Sequence, residues 1–107
     1  MAEKSRIKHL KNQQELVDKN SIVKFTATWC GPCKKIAPVY SELAEKYTKI
    51  YFYEVDVDKQ EDIAEEFGVN SMPTFIFFSR GKMQEKFSGA DADKLREIVE
   101  LFAKNKK

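Results

Sequence analysis

Only two cysteines occur among the 107 residues, Cys30 and Cys33. A secreted scaffold stapled by several disulfides is therefore excluded, and a bridge between these two would close only a very short loop. Glycine is scarce at 4 residues and no repeat or low-complexity tract appears, so no linker divides the chain, and a single domain over residues 1–107 is expected. No apolar run is long enough to span a bilayer, and the opening Met1-Ala2-Glu3-Lys4-Ser5-Arg6 lacks the apolar stretch of a secretory signal. A soluble, cytoplasmic protein without a membrane partner is expected. The lone histidine, His9, cannot complete a convincing nucleophilic triad, and with two thiols it falls short of the four ligands a zinc or iron–sulfur site requires. No metal is expected within one chain; only a site shared between two chains would supply enough ligands.

Charge of one sign is also missing. Nineteen Lys and Arg oppose 17 Asp and Glu, for a formal +2. Seven of the acids fall between Glu54 and Glu66, while Lys4, Lys8 and Lys11 and the tail Lys104, Lys106 and Lys107 are separated by acids or terminal. Basic side chains interleaved with aromatics would mark a nucleic-acid binder, and that pattern is absent. These charges read as solvated faces. The 42% hydrophobic content is ample for one core and excludes a disordered chain.

Apolar periodicity alternates between strand and helix. Ile7 to Leu10 predicts a short strand, Gln13 to Lys19 a short helix, and the β-branched run Ile22 to Thr28 a strand with Val23, Phe25 and Ala27 on one face and Ile22, Lys24 and Thr26 on the other. After Gly31-Pro32, the recurrence of Ile36, Val39, Tyr40, Leu43 and Tyr47 predicts a long helix that Pro38 should kink. Ile50 to Val57 predicts a strand, and Gln60 to Phe67 a helix stopped by Gly68. Thr74 to Phe78 and Met83 to Phe87 predict a hairpin about Arg80-Gly81, and Asp91 should cap a last helix with the stripe Leu95, Ile98, Val99 and Phe102. The predicted fold class is α/β: a central mixed five-stranded sheet flanked by four helices.

Trp29-Cys30-Gly31-Pro32-Cys33-Lys34 falls where a strand ends and a helix begins. A helix N-terminus presents unpaired N–H groups and a partial positive charge, which stabilise a thiolate. Cys30 is therefore expected to be the acidic, exposed thiol. Cys33, one turn on, can bridge to it or donate its S–H to the thiolate. Such a dithiol exchanges with disulfides: Cys30 attacks a target sulfur, and Cys33 then attacks Cys30 and frees the reduced target, with no bound cofactor.

The segment Phe25 to Lys34 resembles the thioredoxin active-site signature almost letter for letter. Ser71-Met72-Pro73-Thr74 resembles that family's cis-proline loop, Pro38 its helix-kinking proline, and Gly81 and Gly89 its later glycines. The resemblance implies the thioredoxin fold and a monomeric protein-disulfide reductase that maintains redox balance, recharged by thioredoxin reductase. NADPH and FAD would belong to that partner. It also implies a docking surface for protein disulfides at Trp29, Gly31, Pro32, Met72, Pro73 and Gly89, with Gly68 and Ala90 extending it and a cis Met72–Pro73 bond aiming the Met72 backbone at an extended substrate. A thioredoxin-fold module whose reduced form docks to a partner and regulates it, with little turnover, is the competing reading, and Gly31-Pro32 argues against an oxidant or isomerase.

One position departs from the family. Lys24 stands where relatives usually carry a buried Asp that moves the proton of the second cysteine. Lys24 and Glu54, on the facing sides of neighbouring strands, are expected to form a partly buried pair, since a lone buried ammonium is costly. Glu54 would then be the carboxylate near Cys33, or Lys24 would stabilise the Cys33 thiolate directly. Alternatively, Lys24 snorkels along its stem to water.

Overall fold

In the computed structural model, which describes residues 5–105, the strands β1 (Lys8–His9), β2 (Asn20–Thr26), β3 (Tyr51–Asp56), β4 (Thr74–Ser79) and β5 (Lys82–Ser88) form one sheet. Lys4, Lys106 and Lys107 lie outside the described residues. Strand order is β1-β3-β2-β4-β5, with β1, β3 and β2 parallel and the β4–β5 hairpin antiparallel. Parallel neighbours need crossovers, and α1 (Gly31–Lys46) carries the chain from β2 to β3. Then α2 (Glu61–Glu66) leads to β4, and α3 (Ala92–Asn105) closes the fold.

Period-two patterning of the central strands places one apolar set on each side. Ile22, Phe52, Phe75 and Phe77 pack with Ile36, Tyr40 and Leu43 of α1 and with Leu95, Val99 and Phe102 of α3. On the other side Val23, Phe25, Tyr53, Val55, Ile76 and Phe78 pack with Leu10, Leu16 and Ala64. Tyr40 is fully buried, and its hydroxyl donates toward the carbonyls of Ile22 (3.0 Å) and Tyr53 (2.7 Å), tying α1 to two strands.

The flanking helices number three among the described residues, not four. Gln13–Leu16 forms only a single 3₁₀ turn, held by an Asn12/Glu15 capping box. Only three residues, Val17, Asp18 and Lys19, separate that turn from β2 at Asn20, so the helix stops short of the predicted Lys19 end. The first strand is likewise shorter than the periodicity suggests: Lys8 and His9 stand in ladder register with β3, and Leu10 adds one backbone bond to the Glu54 carbonyl at 3.1 Å before the chain turns away. Two caps match expectation. Asp91 accepts from the Lys94 N–H at 3.0 Å, and Gly68 follows α2 at φ +66, a left-handed conformation that suits glycine.

Candidate active site

β2 delivers the chain to the start of α1, and Cys30 is that helix's N-cap, with extended backbone. Its Sγ accepts from the Cys33 N–H at 3.1 Å, and its carbonyl accepts from the Lys34 N–H at 3.3 Å. One helical turn thus sets the spacing of the pair, whose Cα atoms lie 5.2 Å apart and whose sulfurs are disulfide-bonded. Pro32 lies in the first turn, where its missing N–H removes no helical bond. Gly31 has open space where a Cβ would project.

Cys30 is not the exposed thiol that its helix position suggests. It is 5% exposed and Cys33 2%. In the bridged state both sulfur residues pack with Ala27, Val57 and Met72, a contact across the fold that local sequence does not convey.

The Met72–Pro73 peptide is cis. Met72 packs against the cysteine cluster, and the Pro73 carbonyl accepts from the Gly89 N–H at 2.9 Å, so Met72, Pro73 and Gly89 gather beside Cys30 and Cys33. The Thr74 hydroxyl donates to the Ser71 carbonyl at 2.6 Å and lies 2.8 Å from the Ser88 hydroxyl, binding this loop to β5.

Trp29 is 65% exposed, yet its indole is anchored: Nε1 donates to Asp58 Oδ2 at 2.7 Å. Asp58 in turn sits in a turn where its N–H donates to Asp56 Oδ1 at 2.9 Å. In the sequence Asp58 is one of seven acids between Glu54 and Glu66, a pattern that reads as a solvated face. The missed signal is its place just after β3, beside the end of β2 that leads to Trp29.

Lys24 does not reach water. Its side chain is 5% exposed, and Nζ lies 3.8 Å from Glu54 Oε1 and 5.1 Å from the Tyr40 ring centroid. The pair expected from the strand faces is therefore formed, and the snorkelling alternative is overturned: the aliphatic stem is enclosed between sheet and α1. Burial pulls the ammonium below the usual lysine range, and the Glu54 carboxylate opposes that shift. Glu54, 28% exposed, also approaches the edge residue His9 at 3.9 Å. His9 lies on β1, away from the cysteine cluster. Among the described residues, no group of three or more His, Cys, Asp or Glu is placed to hold a metal ion, and no helix is long and apolar enough to cross a membrane.

Comparison with known proteins agrees with this geometry. The thioredoxin family profile matches residues 5–101. Thioredoxin of Homo sapiens is 50% identical over 82 residues, spanning 77% of this chain and 78% of its own, and the H-type thioredoxin of Picea mariana is 48% identical over 92 residues, spanning 84% and 74%. The crystal structure of Malassezia sympodialis thioredoxin superposes with a TM-score of 0.86 at 33% identity, covering 96% of both chains. With a matched profile over most of its length and a bridged cysteine pair capping α1, the chain belongs to the thioredoxin family of thiol-disulfide oxidoreductases, acting through Cys30 and Cys33.

Proposed function

We propose that this chain is a single-domain, monomeric, cytoplasmic protein-disulfide reductase with Cys30 as nucleophile and Cys33 as resolving thiol. The observation that carries the reading is Cys30 at the N-cap of α1, bridged to Cys33 one turn inside. In the reduced protein, the Cys30 thiolate attacks one sulfur of a target disulfide. The target's S–S bond breaks, its other sulfur leaves as a thiolate that takes up a proton, and Cys30 is left in a mixed disulfide. Cys33, once deprotonated, attacks the Cys30 sulfur, the second target thiolate leaves, and the Cys30–Cys33 bridge re-forms. Two electrons have passed to the target. Thioredoxin reductase, using NADPH and its own flavin, returns them, which makes the chain an electron carrier in redox homeostasis.

Trp29, Gly31, Pro32, Met72, Pro73 and Gly89 serve as the docking surface, with the Met72 backbone pairing to an extended target segment. The anchoring of Trp29 by Asp58 supports this reading. Asp58→Ala is expected to free the indole and to raise KM for a protein disulfide about fivefold, from loss of a hydrogen bond worth about 1 kcal/mol, with kcat within about twofold. Steady-state insulin reduction separates the two constants.

Lys24 takes the place of a proton-transferring acid by stabilising the Cys33 thiolate electrostatically. Its ammonium lies 5.1 Å from the ring centroid of Tyr40, on the same helix that carries Cys33 in its first turn. Identical pH profiles for wild type and Glu54→Gln would exclude Glu54 from any part in this.

The function is tested by NADPH consumption with thioredoxin reductase and insulin. Consumption proportional to the concentration of this protein is expected. Reduction driven by dithiothreitol but not by the reductase would overturn the recharging partner; failure of both would leave a docking module.

A further inference from the structure

The loop that carries Met72 and Pro73 to the sulfurs is tied to β5 at both ends. Where it enters β4, the Thr74 hydroxyl lies 2.8 Å from the Ser88 hydroxyl, and the Gly89 N–H donates to the Pro73 carbonyl at 2.9 Å. Where it leaves α2, the Lys86 ammonium donates to the Phe67 carbonyl at 3.2 Å and reaches the Gly68 carbonyl at 3.5 Å. Between these ties, the N–H groups of Asn70, Ser71 and Met72 make no hydrogen bond among the described residues. The path of the loop is therefore set at its two ends.

The first tie answers a defect in α2. A helix ends on unpaired carbonyls and a partial negative charge, which acids worsen and a cation relieves. Yet α2 spans only six residues, closes on Glu65 and Glu66, and has no base in its last turn. So short a helix holds little structure by itself. Strand register pairs Lys86 with Ile76, on the face of the sheet where Phe67 and Val69 pack, and from there its side chain reaches the end of α2. Thus β5 supplies the cation that α2 lacks. Gly68, at φ +66, turns the chain directly beneath that ammonium: a Cβ at this position would lie 3.9 Å from Lys86 Nζ.

We propose that Lys86 is a positioning residue for target docking: by fixing the point at which the chain leaves α2, its ammonium sets where Met72 and Pro73 stand beside Cys30 and Cys33. That role rests on the docking reading above and adds to it a side chain that acts only through the loop. Met72 packs against the bridged pair, so a loop released at Gly68 displaces the backbone that pairs with an extended target while the thiol chemistry is unchanged. The effect falls on binding of a protein disulfide. A small disulfide, which lays no strand along the loop, does not register it.

Two variants and two measurements test this. Lys86→Met keeps the stem and removes charge and donors, whereas Lys86→Arg keeps both. In single-turnover oxidation of the reduced protein by insulin, Lys86→Met is expected to raise the half-saturating insulin concentration about threefold with the limiting rate within about twofold, and Lys86→Arg to restore the wild-type value. The rate with hydroxyethyl disulfide is expected to be the same in all three proteins. An unchanged half-saturating concentration in Lys86→Met, or an equal loss with the small disulfide, would overturn the role. Methyl NMR of the oxidised protein reads the loop without turnover: the Met72 methyl signal is expected to move in Lys86→Met and to return in Lys86→Arg. A Met72 signal that stays in place in Lys86→Met sinks the proposal. Failure of the wild type to react with insulin would count instead against the reductase reading, and the NMR comparison would still decide whether Lys86 positions the loop.

Discussion

Cys30→Ser is expected to lower the rate of disulfide reduction roughly a thousandfold or more, whereas Cys33→Ser is expected to accumulate a mixed disulfide with its target. Serine at position 30 is a favourable N-cap and can accept the same N–H that the sulfur accepts from Cys33, so the start of α1 should survive. The loss is chemical. A hydroxyl does not ionise near neutrality and cannot exchange with a disulfide, so no N-terminal helix field restores it. In Cys33→Ser the first attack proceeds, since Cys30 still caps α1, but the sulfur that would displace the target is gone. Stopped assays resolved without reductant should show a covalent adduct that dithiothreitol removes. Full activity in Cys30→Ser would overturn the assignment of roles.

The second large effect concerns the buried charge pair. Removing one member of a buried pair typically costs 3–5 kcal/mol because the other charge is left without compensation. Glu54 retains access to water, so the expected destabilisation in Glu54→Gln is smaller, about 2 kcal/mol, or a fall of about 10 °C in Tm. The double variant Lys24→Met, Glu54→Gln should regain most of that loss, because it removes the stranded ammonium and leaves an apolar stem beside Tyr40. Urea denaturation of the four proteins reads the cycle directly. If the double variant is as unstable as Glu54→Gln alone, the pair is not the source.

The same lysine gives a signed pH effect. Desolvation holds its folded pKa below the ordinary 10.5, so between the folded value and 10.5 the unfolded chain binds a proton that the native chain has released. Stability contributed by this group therefore rises with pH through that window, and the penalty is fully present below it. Lys24→Met should lack the rise, which chemical denaturation from pH 8 upward would show.

Most elements were legible because their causes are local. Alternation in Ile22 to Thr26, the heptad-like stripe of α3 and the Asp91 cap each depend on residues within a turn or two. The misread helix near Gln13 fails for a related reason: apolar spacing reports a preference, while the room available before β2 decides whether a helix can propagate. In the site, the roles suggested for Cys30 and Cys33 rest on a junction readable in six consecutive residues. The expected exposure of Cys30 was wrong, because Met72 and Val57 come from other parts of the chain to cover it.

By itself, the sequence determined the redox chemistry: two thiols one turn apart at a helix start, where backbone N–H groups favour a thiolate over the short range of a few residues. Tertiary structure alone decided what surrounds them. Strand order β1-β3-β2-β4-β5 departs from chain order, so it was sheet pairing that set His9 beside Glu54 and Glu54 beside Lys24. Packing of the loop before β4 against the start of α1 likewise brought Met72 and Pro73 to the sulfurs. The physical reason is range. Capping and periodicity act between neighbours in sequence, whereas burial, charge compensation and docking geometry depend on which distant segments the core draws together.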